Sequence, residues 1–123
     1  MDLDGEEFFE DFFLSEIERA SGMEFDLIRV YAGGNTFGTS GDIHTDGGDD
    51  NEYTFLYHAS PDVWTAMWGG KTSFYGEHHN EYYEFTPNMG ILFKSNILHV
   101  GEPTTKFFTT LRVCIAFKLS LKS

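Results

Sequence analysis

Apolar residues recur at steps of three and four through "EEFFEDFFLSEIERA", residues 6–20, and place Phe9, Phe12, Phe13, Ile17 and Ala20 on one stripe. That period predicts an amphipathic helix with its stripe against a core. Acidic residues in the first turn suit the positive end of the helix dipole, and Ser21-Gly22 supplies a stop. From residue 25 the texture changes to short extended runs. "FDLIRVYA" (25–32), "IHTD" (43–46), "EYTFLYHA" (52–59), "KTSFYG" (71–76), "EYYEF" (81–85), "ILFKS", "ILHV" and "TTLRVCIAFKL" read as strands. "GGNTFGTSG" (33–41), "GGDDN" (47–51) and "TPNMG" read as loops and turns. The whole is an all-β core, about 25–120, with one helix packed on it: a sandwich, jelly roll or small barrel.

The last run carries the most information. Val113, Ile115, Phe117 and Leu119 alternate on one face, which should lie under a covering element, the N-terminal helix being the candidate. Arg112, Cys114 and Ala116 occupy the other face. An inward arginine beside small residues implies a cavity that holds an anion.

Composition narrows the class. With 123 residues, 41% of them hydrophobic, the chain supports a single domain, 1–123. Thirteen phenylalanines, six tyrosines and two tryptophans favour strands. A net charge of −12 disfavours a nucleic-acid partner. Cys114 is the lone cysteine, which excludes an internal disulfide and a Cys-rich zinc site. The chain carries no apolar run long enough for a bilayer and no signal-like start, so the expectation is a cytoplasmic protein with no membrane partner.

Candidate chemistry centres on "GDIHTDGG", Gly41 to Gly48. On an extended strand His44 and Asp46 would share a face. Such a pair could grip a metal or sit in a surface turn. His99, in "SNILHVGEP" ahead of the last strand, adds a second imidazole. Two histidines and a carboxylate form the facial set of non-haem Fe(II) oxygenases. His78 and His79 are adjacent, face opposite ways on a strand, and read as loop residues. His58 should point away from Tyr57, into the core or to the surface. Trp64 and Trp68 are candidates for core or pocket mouth. The acidic "DGGDDN" does not have EF-hand spacing.

Taken in order, "RVYAGG", "HTD", "YTFLYHA", "WGGKTSFYG", "FTPNMGILFKSNILHVGEP" and "LRVCIAFKL" resemble the 2-oxoglutarate- and Fe(II)-dependent dioxygenases of the prolyl 4-hydroxylase-like group. The resemblance runs from about Ile28 to Leu119. It implies a double-stranded β-helix, a jelly roll with the metal between its sheets. It assigns His44, Asp46 and His99 as metal ligands and Arg112 as the grip on the distal carboxylate of 2-oxoglutarate. Tyr57 would donate to the same carboxylate, and Tyr31 would stand near the cosubstrate. The implied cofactors are Fe(II), 2-oxoglutarate and dioxygen, with ascorbate as an accessory. Two departures stand out. Arg112 follows His99 by thirteen residues, a few more than is common, which keeps Lys106 as the alternative grip. The family's usual N-terminal helices are mostly missing.

The implied activity is hydroxylation of a C–H bond, foremost on a prolyl residue of a peptide or protein, with release of succinate and carbon dioxide. A free amino acid or other small molecule is the alternative substrate class. A non-catalytic cupin-like module that binds a metal or ligand is the alternative outside enzymes.

Overall fold

A computed structural model describes residues 2–35, 45–46, 49–59, 71–76, 80–84, 86, 88–101 and 112–122, without the side chains of residues 34, 35, 101 and 112. It is a sheet-rich all-β fold with one N-terminal helical element. A π-helical segment, Phe8–Phe13, runs directly into α1, Leu14–Ser21. Gly22 caps α1 in the left-handed region, φ 73°, and its N–H reaches the Glu18 carbonyl. That conformation is strained for any residue with a Cβ, which is why the predicted stop falls there.

Seven strands follow among the described residues: β1 Phe25–Asn35, β2 Glu52–His58, β3 Thr72–Tyr75, β4 Asn80–Tyr83, β5 Gly90–Lys94, β6 Leu98–Gly101 and β7 Arg112–Leu121. A four-stranded sheet runs β1-β7-β2-β5 and a three-stranded sheet runs β4-β3-β6, antiparallel throughout. Two details depart from the sequence reading. β1 continues through Gly33 and Gly34 to Asn35, a stretch expected to be loop. The described part of "IHTD", Thr45 and Asp46, is irregular rather than extended.

The larger sheet has two unlike faces. On one, Phe117, Leu119, Phe25 and Val30 are fully or nearly fully buried, with Phe55, Tyr53, Leu92 and Ile115 packed around them. The helical element covers this face. Phe13 meets Phe117 at 4.9 Å between ring centroids, Phe9 meets it at 6.3 Å, and Ile17 is buried. The predicted alternation of Val113, Ile115, Phe117 and Leu119 therefore ends under the helix, as expected. The stripe itself needs correcting, because Phe12 is 59% exposed and stacks on Phe8, and Ala20 is also exposed. A π turn closes one residue later than an α turn. It aligns Phe9 with Phe13 inward and Phe8 with Phe12 outward.

β1 lies at the edge of this sheet, where unpaired backbone groups must be met. The N-terminal residues meet them: the Leu3 N–H donates to the Val30 carbonyl at 3.0 Å, and the Val30 N–H donates to Asp4 Oδ1 at 2.7 Å. β1 also carries a β-bulge. Leu27 pairs with Leu119 but Arg29 pairs with Lys118, so Ile28 is the extra residue and stands 56% exposed. The bulge reverses the alternation. Phe25 and Leu27 lie on the helix side before it. Arg29 and Tyr31 lie on the opposite side after it, and Val30 turns to the core.

Candidate functional site

The second face of the larger sheet looks toward the three-stranded sheet. It is polar where a core would be apolar. Thr54, Ser95, His58 and His99 are all buried, with Thr54 at 0% and His99 at 4% exposure. Buried polar groups are retained where they bond one another. Thr54 Oγ1 and Ser95 Oγ are 2.9 Å apart, and Thr54 also donates to Asp46 Oδ2 at 2.9 Å.

Asp46 reaches this face from a bend. Its backbone N–H donates to the Ser95 carbonyl at 2.7 Å, which pins the loop to the end of β5. His99 comes from β6 on the facing sheet. Its ring is held between Phe93, 4.7 Å away, and Phe74, 5.9 Å away. His99 Nδ1 lies 2.8 Å from the Ile97 carbonyl. A carbonyl can only accept, so Nδ1 carries the proton and Nε2 turns the other way. Nε2 stands 3.2 Å from Asp46 Oδ2.

Lys118 completes the group. It shares the sheet face with Thr54, its β2 partner, and its Nζ lies 2.6 Å from Asp46 Oδ2. The same ammonium is 5.8 Å from the centre of the Tyr31 ring, over which Arg29 also lies at 4.8 Å. Burial alone would raise the Asp46 carboxyl. A hydrogen bond from His99 Nε2, which the protonated imidazole donates, and the Lys118 ammonium outweigh it and hold the group well below the usual carboxylate range.

The donor chemistry suits a divalent metal. An imidazole whose Nδ1–H is committed to a carbonyl presents a fixed Nε2 lone pair, the common arrangement for a metal-bound histidine. That lone pair faces a carboxylate oxygen at 3.2 Å, a pairing that a proton between them, the Lys118 ammonium or a metal ion would each stabilise. Adjacent ligands of an octahedral ion, with bonds of about 2.1 Å, lie roughly 3 Å apart. Asp46 and His99 fit that spacing. Among the described residues no three His, Cys, Asp or Glu side chains gather into a metal site. His44, the third expected ligand, lies outside the described residues, as do Lys106, His78, His79, Trp64 and Trp68.

The other expected residues divide. Tyr31 is on the site side of β1, beside Lys118. Arg112 opens β7, in the same alternation as Cys114, Ala116 and Lys118, and its side chain is outside the description. Tyr57, expected at the cosubstrate, lies on the opposite face. Its ring packs edge-on against Phe13 at 5.0 Å, and its hydroxyl donates to Asn88 Oδ1. The cause is parity: Thr54, Leu56 and His58 face the site, and Tyr53, Phe55 and Tyr57 face the helix. His58 is buried at 1% exposure on the site side, paired across to Cys114, with Nδ1 within 3.0 Å of the Thr86 carbonyl. Sequence reading overlooked Lys118, Thr54 and Ser95. Carrying the Arg112, Cys114, Ala116 alternation one step further would have found Lys118.

Neither a protein-family model nor a curated protein sequence matches the chain. Solved structures do. A prolyl hydroxylase from Trichoplax adhaerens, in complex with a hypoxia inducible factor oxygen degradation domain peptide fragment, aligns with a TM-score of 0.73. The alignment covers 98% of this chain and 60% of that one at 17% identity. A Pseudomonas putida prolyl-4-hydroxylase gives 0.68, with 92% and 65% covered at 14% identity. The chain thus spans less than two thirds of the length of either. At such identities the likeness concerns architecture alone: the chain has a prolyl 4-hydroxylase-like fold.

Proposed function

We propose that this chain is a 2-oxoglutarate- and Fe(II)-dependent dioxygenase on a double-stranded β-helix, and that it hydroxylates a prolyl residue of a peptide or protein. The observation that carries the reading is the Asp46–His99 pair, held 3.2 Å apart between two sheets with the His99 Nδ1 proton tied to a carbonyl. His44, Asp46 and His99 would hold the iron, through two neutral imidazoles and one carboxylate. Bound there, Fe(II) with 2-oxoglutarate and dioxygen supplies the oxidation of an unactivated C–H bond, with succinate and carbon dioxide released.

The chain's own residues do the rest. Phe74 and Phe93 fix the His99 ring and keep water from it. Thr54 orients the Asp46 carboxylate. Cys114 and Ala116 are the small residues between Arg112 and Lys118 in the β7 alternation, and a slender dicarboxylate would lie along that stretch of the sheet. Arg112 would take its distal carboxylate with a bidentate fork. His58, across from Cys114, borders the same path. A peptide substrate is favoured because the Trichoplax neighbour was solved with one.

The test is succinate formation from 2-oxoglutarate with Fe(II) and dioxygen, across proline-containing peptides and free amino acids. Turnover with a peptide, and a product heavier by one oxygen on proline, is the expected result. Product on free amino acids alone would replace the prolyl reading with a small-molecule hydroxylase. A folded, metal-loaded protein that forms no succinate with any substrate would be the cupin-like binding module.

A further inference from the structure

We infer that Lys118 is a resident cation of the site, a positioning residue that occupies the Asp46 carboxylate and that a divalent metal must displace. The inference rests on the metal reading of Asp46 and His99 given above.

Three groups converge on one atom. Asp46 Oδ2 takes the Thr54 hydroxyl at 2.9 Å and the Lys118 ammonium at 2.6 Å, and faces His99 Nε2 at 3.2 Å. A carboxylate oxygen has two lone pairs. A metal held by His99 and by this oxygen would need one of them, and Thr54 and Lys118 cannot both keep the rest at full strength. Thr54 is fully buried and can only turn its proton from Asp46 to Ser95; its oxygen cannot move away, and turning the proton would leave the competing ammonium in place. Lys118 can move away. Its four-carbon stem is flexible, its side chain is 19% exposed, and the Tyr31 ring 5.8 Å away offers a second seat by a cation–π contact. Even a Lys118 that stayed would repel a dication a few ångströms away.

Lys118 therefore plays two parts. Without metal it neutralises the Asp46 carboxylate, 2.6 Å from its ammonium. With metal it opposes binding, so the site holds its ion more weakly than the same ligands would without the lysine. A simple structural ion pair predicts the reverse, since its loss would loosen Asp46 and weaken the metal.

The experiment is a Mn(II) titration of the full chain, followed by the electron paramagnetic resonance signal of the free ion. Wild type, Lys118→Met, Lys118→Gln, Lys118→Arg and His99→Ala are compared, with circular dichroism to verify folding. Lys118→Met and Lys118→Gln should each bind Mn(II) about tenfold more tightly or better, and Lys118→Arg should stay within about threefold of wild type. Two neutral variants allow for one of them failing to fold. Unchanged or weaker binding in a folded neutral variant overturns the inference while wild-type binding, lost in His99→Ala, upholds the metal reading. If no variant binds Mn(II), wild type included, the metal reading falls and the inference with it.

Discussion

Asp46 Oδ2 and His99 Nε2 stand 3.2 Å apart although one comes from a bend tied to β5 and the other from the opposite sheet. The two sheets must be docked in register for the pair to exist. Assembly of the site and assembly of the interior between the sheets are therefore one event.

That pair gives the first prediction. His99→Ala should lower affinity for Fe(II), or for Mn(II) as its inert stand-in, by roughly a hundredfold or more, since under the proposed assignment it removes a direct ligand where even supporting partners count for 10–100-fold. Wild type should bind one ion per chain. Calorimetric titration under nitrogen checks both; an affinity unchanged in His99→Ala removes His99 from the metal.

Arg112 and Lys106 can be separated by kinetics. Loss of a charge-assisted grip on a carboxylate costs about 2–5 kcal/mol, so Arg112→Ala should raise KM for 2-oxoglutarate by about one to three orders of magnitude. Metal affinity should barely move. Lys106→Ala should be nearly silent. The opposite pattern would transfer the grip to Lys106.

Tyr57 and His58 form a paired test of strand parity. Tyr57→Phe removes a hydroxyl that serves Asn88 on the helix side, so KM for 2-oxoglutarate should stay within about twofold and stability should fall by at most about 1 kcal/mol. His58→Leu changes the site side and should raise KM by about tenfold, the effect of roughly one lost hydrogen bond. A larger kinetic effect from Tyr57→Phe would mean that the β2 register has been read one residue out.

Gly90 sits on β5 against the helix-side core. A Cβ there would lie 2.0 Å from Phe55 Cζ, and that ring is already packed against Phe13 and Phe117. Gly90→Ala should destabilise the fold by about 1–3 kcal/mol through overpacking. Thermal melts read it as a lower Tm, with the metal-binding stoichiometry kept; a Tm equal to wild type would show that Phe55 has room to turn.

The sequence made the helix, most of the strands and the two faces of β7 legible, because those rest on simple periods. Val113 to Leu119 alternates without interruption, so its core face could be read directly. Two features broke a period and were missed for that reason. The π turn moved Phe12 outward. Ile28 reversed the faces of β1. Tyr57 came from the family resemblance, whereas the unbroken alternation of β2 puts it on the helix side and His58, with Thr54, on the other. The site was half legible: residue types pointed to His99 and Asp46. The supporting Thr54, Ser95 and Lys118 form no local pattern, since β2, β5 and β7 meet only in the folded sheet.

The unpaired Ile28 has a consequence for how this protein can change. It stands outside the ladder that joins a strand beginning in the hydrophobic core and ending at the chemistry. Substitution of Ile28, whose side chain is largely in solvent, leaves the pairing on both sides intact. Deletion of the same residue would set Leu27 beside Arg29, still opposite Leu119 and Lys118, and would turn the bulge into a plain alternation in which Val30 keeps the core side and Arg29 and Tyr31 keep the site side. Loss of any paired neighbour would instead shift the strand by one residue and exchange its faces. Residue 28 is thus the place in β1 where length as well as identity can vary.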